Sequence, residues 1–574
     1  MRNGYALSLS LLLVVIASGI ASSQSFRVQC PTSTVTHPNP ALNNSEPAYN
    51  GPTVFTTNAQ GYVTPTSNIN GAIKCQQVSG GDGYSTMADG TQTFMFSFGP
   101  LSGLAAIANG QPGTQFPNVF NTVYPGTLVP GGPLAPGDPA MSDGAKSGAS
   151  PGTPSLFTYN GAVGLMPDLD AIASGTCTAP CLDGHVDPRQ IMDVGVMNGN
   201  IPAPLVAFDE DDEMFLTLTN VGMIMRPDLF EQHTIHFHGY PNASAFYDGV
   251  PDASVAINIG GSFTYYYLAP DAGTYFWHCH ITPPEHLQMG MVGQLYVRPR
   301  QDRVPQGVSL YTALQQQNGL GTTVDLRTAC NPSNDILCSA FTPAINTGVN
   351  QGLDLLGNPQ RYVYNDGDGS TAYDVEYPIQ MHDFDPNFHF VGMTFNPEAF
   401  VDMKGKYFLL NGRSYPDTVA TGPQATMSSD GRMHYSQPLP ALINIPVGGK
   451  ASLRLVNLSV EQYHTLATLG IPMKEVGFNA KLLRDQEGNN TEFYTNSITL
   501  GGGESLDVIL DASDAGCGSK GCAATLYPAG SVFYLYTPNL DHLSNDAENF
   551  GGMMTEVHIC NSVTGGSTYG NTCN

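Results

Sequence analysis

Residues 211–220 read DDEMFLTLTN. Phe215 and Thr217 alternate with Leu216 and Leu218, the period of two that marks a half-buried strand. Working outward, strands of this kind fall into two segments that share one plan. The first runs VMNGNIPAPLVAFDEDDEMFLTLTN, HTIHFHG, VAINIGGSFTYYYLAPDAGTYFWHCH, EHLQMGMVGQLYV. The second runs FLLNGRSYPDT, LINIPVGGKASLRLVN, HTLATLG, NSITLGGGESLDVILDASDAG, SVFYLYT, DHLSNDAENFGGMMTEVHI. Each has an Asn-Gly turn, alternating strands, an HT segment, a GG turn and a late aromatic strand. Two copies of one β-sandwich follow. With 64 Gly, 43 Pro and only 12% charged residues in 574, the composition is that of an all-β protein rich in turns.

The expected layout is therefore a leader over 1–23, an irregular N-terminal extension over 24–90 and a first sandwich over 91–300. A linker over 301–374 and a second sandwich over 375–574 complete it. The start, MRNGYALSLSLLLVVIASGIASSQ, has one Arg, a short apolar run and small residues near Ser23, the pattern of a secretory signal peptide. Eleven cysteines agree with export. Ten fall into the pairs 30/75, 177/181, 330/338, 517/522 and 560/573, which leaves Cys279 as the odd thiol. Four Asn-x-Ser/Thr sequons, at Asn43, Asn242, Asn457 and Asn489, are compatible with a eukaryotic secretory route. The destination is the periplasm, a cell surface or the medium. A net charge of −27 makes nucleic acid and anionic membranes poor partners, and no later segment is apolar enough to span a bilayer.

Six of the 14 histidines lie between 233 and 286, at 233, 236, 238, 278, 280 and 286. Aligned on the second copy, His233 meets His464 and His286 meets His542. His236 and His238 meet Ala467 and Leu469, while His278, Cys279 and His280 meet Leu535, Tyr536 and Thr537. A fold that keeps its plan without these imidazoles does not need them for packing. Successive side chains on a strand point to opposite faces. If both stretches are extended, His236, His238, His278 and His280 gather on one side, and His233 with Cys279 on the other. The loop that follows adds His286 and Met291, with Met289 as its competitor. One thiolate, two imidazoles and a weak thioether favour an electron-transferring copper, whereas structural zinc recruits more thiolates. His382 and His389, in MHDFDPNFHF, are further candidates for a metal cluster, and Trp277 reads as a core aromatic beside the site.

HTIHFHG and WHCHITPPEHLQMGM resemble the copper motifs of the blue multicopper oxidases, H-x-x-H-x-H-G and H-C-H-I…H…G-M. The resemblance implies two cupredoxin-like Greek-key sandwiches, with type 1 copper at His233, Cys279, His286 and Met291. It implies type 2 copper at His236 and a type 3 pair at His238, His278 and His280. It further implies an oxidoreductase that takes single electrons from a small phenol, a metal ion or a redox protein and passes them to dioxygen, with a homo-oligomer as one option. Cys279, His278 and His280 would carry the electrons. Three departures stand out: the loop after HCHI is two residues longer than usual, Tyr240 replaces a common final His, and the complementary H-x-H pairs are missing from the second copy. Two rivals follow, a secreted cupredoxin-like electron carrier with an incomplete reductive site and a nitrite-reductase-like enzyme. The second usually has Asp where this chain has His236, and no His after the Cys.

Overall fold

The computed structural model of the chain describes residues 31–100, 165–167, 182–186, 199–315 and 351–574. Within these, 32, 44–45, 224–230, 240–243, 260, 270, 393–399, 428–432, 486–488 and 566–570 are left out. The leader and Cys30, Cys177, Cys181, Cys330 and Cys338 lie outside the described residues.

Two all-β sandwiches organise the chain. The first has strands β1 (Ile73–Thr86), β2 (Gln92–Pro100), β3 (Val206–Asp209), β4 (Glu213–Gly222), β5 (His236–Phe237), β6 (Ser262–Leu268), β7 (Gly273–His278) and β8 (Val292–Arg298). A short helix, α1 (Pro283–Gln288), separates the last two. One sheet is ordered β6-β4-β1-β2 and the other β3-β8-β7-β5. The second sandwich repeats this with β9 (Val375–Phe384), β10 (Tyr407–Leu410), β11 (Ile443–Pro446), β12 (Lys450–Asn457), β13 (His464–Thr468), β14 (Met473–Phe478), β15 (Ser497–Leu500), β16 (Ser505–Asp511), β17 (Val532–Tyr536) and β18 (Met554–Cys560). Its main sheet contains β10-β9-β12-β16-β14, and its second is β11-β18-β17-β13-β15. In both copies the first strand runs parallel to a later one, β1 beside β4 and β9 beside β12.

Two expectations change here. Residues 73–86, placed by the sequence reading in an irregular extension, form β1 at the centre of the first sheet. Glycines at 80, 81 and 83 hid it by interrupting the apolar alternation. Strand β4 is buried on both faces rather than one. Its threonine row stays satisfied because Thr217 pairs with Thr264 at 2.8 Å and Thr219 with Ser262 at 2.7 Å across the strands.

The two sandwiches share packing. Leu205, Ala207 and Tyr296 of the first lie in the core of the second. Glu376 on β9 takes Arg298 of β8 at 2.7 Å and Arg454 of β12 at 2.7 Å, and Thr274 of β7 donates to Asp507 of β16 at 2.6 Å. Disulfides 517–522 and 560–573 are formed, and Cys75 is disulfide-bonded. Among the described residues Cys279 is the free thiol, and it is buried. The sequons at Asn43 and Asn457 carry buried side-chain amides that donate to backbone carbonyls, so neither suits a glycan. Among the described residues no helix is long and apolar enough to cross a membrane.

Candidate metal centre

Everything at this site depends on how β7 leaves its sheet. Antiparallel pairing sets His278 opposite His236 and Trp277 opposite Phe237, and the His238 amide continues the ladder to Phe276. Beyond His278 the chain stays extended long enough for the Cys279 amide to reach the Met291 carbonyl at 3.1 Å, while the His280 amide reaches Thr234 Oγ1 at 2.9 Å. Trp277 anchors the strand from below. It is fully buried against Phe98, and its indole N–H donates to the Gln294 carbonyl.

The sulfur side holds His233, Cys279 and His286, with one ligand atom of each lying within 4.8 Å of the others. All three are fully buried. His286 Nδ1 lies 3.2 Å from Cys279 Sγ, and its Nε2 is 3.4 Å from a Glu231 carboxylate oxygen. Without a metal the ring can donate from both nitrogens, Nδ1 to the sulfur and Nε2 to the carboxylate; a bound metal would replace the Nδ1 proton while Glu231 keeps the proton on Nε2. Burial pulls His286 down, but the Cys279 sulfur and the Glu231 carboxylate outweigh it and hold the ring up to about 9. His233 is pushed the other way, by burial and by His286 beside it. Neither nitrogen of His233 has a hydrogen-bond partner. A fully buried imidazole with two orphaned nitrogens is costly unless something binds it. The Thr234 amide, 3.4 Å from Cys279 Sγ, donates to the sulfur. Met291 is fully buried, its amide bonded to the His286 carbonyl at 2.8 Å; Met289 is equally buried.

On the opposite side His236, His238 and His278 bring one nitrogen each to within 4.8 Å of one another. The His280 ring lies 5.0 Å from that of His236 and 5.6 Å from that of His278. His236 Nδ1 donates to the Asp248 carbonyl at 2.6 Å, and His278 Nδ1 to the Cys279 carbonyl at 2.7 Å. Both rings are thus left with Nε2 lone pairs facing the cluster. Burial and neighbouring imidazoles push His238 down to about 4, and burial also lowers His278. Neutral rings at ordinary pH are what a metal requires.

The remaining histidines have other duties. His389 holds the Phe94 and Gln288 carbonyls, and His382 reaches the Leu287 carbonyl at 3.3 Å. Both therefore brace α1, which carries His286, from the second sandwich rather than joining a cluster. His37 pairs with Glu213 and His558 with Glu556. The side chains of His185 and His434, and Tyr240, lie outside the described residues. Sequence reasoning missed Glu231, Thr234 and the Asp248 carbonyl, since nothing in the linear pattern marks them as supports for candidate ligands 12 to 55 residues away.

The alignment of the copies needs a one-residue correction. His236 pairs with His278, and Ala467 pairs with Tyr536. His278, Cys279 and His280 therefore correspond to Tyr536, Thr537 and Pro538, because the Thr537 amide meets Met553 as the Cys279 amide meets Met291.

Residues 183–302 match the family model described as multicopper oxidase. A multicopper oxidase of Talaromyces pinophilus is 33% identical over 112 residues, 19% of this chain and 17% of its own length. Laccase-1 of Emericella nidulans is 35% identical over 121 residues, 20% of this chain and again 17% of its own. The chain thus aligns with about a sixth of either relative. A solved blue copper oxidase of Nitrosomonas europaea shares 20% identity at a TM-score of 0.38, covering 63% of this chain and 78% of its own.

Proposed function

We propose that the chain is a member of the multicopper oxidase superfamily, a reading that the match over residues 183–302 supports, and that it is an exported, copper-dependent oxidoreductase of laccase-like type. With copper bound at these residues, it would take single electrons from a phenolic, metal-ion or protein donor on the sulfur side and pass them to dioxygen on the imidazole side. The observation that carries this reading is the sorting along one short segment: Cys279 turns to His233 and His286, while His278, before it, turns to His236 and His238.

Copper held by these residues supplies one-electron redox chemistry on the sulfur side and an oxygen-binding metal on the other. His233, Cys279 and His286, with Met291 as the weak fourth ligand, suit the first; His236, His238, His278 and His280 suit the second. The Thr234 N–H tempers charge on the sulfur, and the Glu231 carboxylate orients His286. Covalent bonds run unbroken from Cys279 Sγ to the rings of its two neighbours, so donor and acceptor sides are joined by one stretch of backbone. Two disulfides among the described residues and the apolar N-terminal sequence support export.

One observation favours the carrier as a second reading. In the second sandwich the positions corresponding to the four imidazoles are Ala467, Leu469, Tyr536 and Pro538. Dioxygen uptake on a phenolic donor decides between the two. Copper-loaded protein that shows a thiolate-to-copper band and consumes dioxygen upholds the oxidase; a blue protein with no uptake removes it and leaves the carrier, or the nitrite-reductase-like enzyme if nitrite is reduced. A protein that takes up no copper would sink both.

Gly80 offers a finer check. A β-carbon there would lie 2.6 Å from Cδ2 of His233. Gly80→Ala is expected to tilt that ring and weaken copper binding on the sulfur side by about 10–100-fold, read by competition with a copper chelator, with the fold retained by circular dichroism.

A further inference from the structure

The corrected alignment exposes a second constellation. In the first sandwich Cys279 N meets Met291 O at 3.1 Å, Met291 N meets His286 O at 2.8 Å and Val292 N meets Gly290 O at 2.8 Å. In the second, Thr537 N meets Met553 O at 3.0 Å, Met553 N meets His542 O at 3.0 Å and Met554 N meets Gly552 O at 2.9 Å. His233 bridges Ile257, and His464 pairs with Leu500 in the same manner. The ring centroids of His233 and His286 are 5.3 Å apart, as are those of His464 and His542. Three of the four side chains on the sulfur side thus have counterparts of the same type, and threonine stands where the thiol was.

Packing alone does not account for the pair. His464, Thr537 and Met553 are fully buried and His542 is 6% exposed, yet Nδ1 of His464 and Nδ1 of His542 have no hydrogen-bond partner. His464 Nε2 is 3.5 Å from Asp383 Oδ1. A carboxylate there favours the proton on Nε2, which leaves Nδ1 as a lone pair; metal-ligating histidines are held in the same way. His286 and Glu231 repeat the arrangement in the first sandwich. Phe408 lies flat on His542 at 3.9 Å and fixes its plane.

We propose that His464, His542 and Met553, with Thr537 in place of a thiol, form a second, thiolate-free site that binds one copper(I) ion. Two imidazoles and a thioether are a soft, neutral donor set, which selects monovalent copper over the harder divalent ions. Without a thiolate the site has no intense colour. It therefore escapes any search that follows the blue band.

The test counts copper(I) retained by the full chain under anaerobic reducing conditions against bicinchoninate. Wild type is expected to hold one equivalent more than His542→Gln and one more than Met553→Leu, while the oxidised band from Cys279 keeps its intensity in both variants. Thr537→Cys, placed in a Cys279→Ser chain, is expected to restore a thiolate-to-copper(II) band now housed in the second sandwich. An unchanged copper(I) count in folded Met553→Leu and folded His542→Gln would overturn the site, as would absence of the band in a folded Thr537→Cys chain. The oxidase reading is judged separately, by dioxygen uptake.

Discussion

Replacing Cys279 by Ser is expected to erase the intense visible absorption of the copper-loaded protein and to abolish oxidation of a phenolic donor, while the two sandwiches remain folded. The thiol is fully buried, receives the Thr234 amide at 3.4 Å and lies 3.2 Å from His286 Nδ1. Serine preserves size and can accept the same N–H, so the packing change is small. It cannot supply a thiolate, and the colour and electron entry proposed here both depend on one. The loss should exceed the roughly 10–100-fold that follows removal of a residue supporting a ligand. Absorption spectroscopy, copper analysis and steady-state oxidation on one preparation provide the check. Survival of the band would exclude Cys279 as the ligand.

A comparably large effect on stability is expected from Glu376→Ala. Glu376 is buried where the sandwiches meet, and its two oxygens take Arg298 and Arg454, which are themselves buried. Burial alone would raise its pKa, but the two guanidinium groups outweigh that and hold the carboxyl well below the usual range. Removing it takes from both buried guanidinium groups their shared carboxylate, although Arg454 keeps Asp507 at 3.5 Å, at a cost of about 3–5 kcal/mol, read as a lower urea midpoint. The sign with pH follows from the depressed native value. The contribution is present above the unfolded carboxyl pKa of about 4.3 and is lost as pH falls below it toward the native value. Wild-type stability should therefore decline on acidification more steeply than that of Glu376→Gln, and equal slopes would show that this carboxylate is not linked to folding.

Much of this was legible in the residues themselves. Period-two strands and the repeated order of turns gave two β-sandwiches, and the histidines between 233 and 286 marked the site before any coordinates. Alternation alone separated Cys279 from His278, because neighbouring side chains on a strand face opposite ways. Other features depend on contacts that no local pattern records. Strand β1 was hidden because its glycines interrupt alternation and its partners β4 and β2 are specified only by the assembled sheet. His382 and His389 looked like spare ligands until packing set them against carbonyls of α1. Glu231 and Thr234 acquired their roles only when β7 was paired.

The second sandwich draws that line most clearly. Its Gly552-Met553 echoes Gly290-Met291 in the sequence, so the parallel was available to inspection. Which residue stands opposite Cys279 was not, because a slip of one position costs a sequence alignment little, whereas in a sheet it turns every side chain to the other face. Sequence by itself determined the alternating strands of the repeat and the clustering of ligand-type residues, all of which are local or periodic properties. Tertiary structure alone decided register, the carboxylates and carbonyls that fix each imidazole tautomer, and the survival of His464, His542 and Met553 as neighbours. Those are relations between distant segments, set by hydrogen-bond pairing and burial across the sheets.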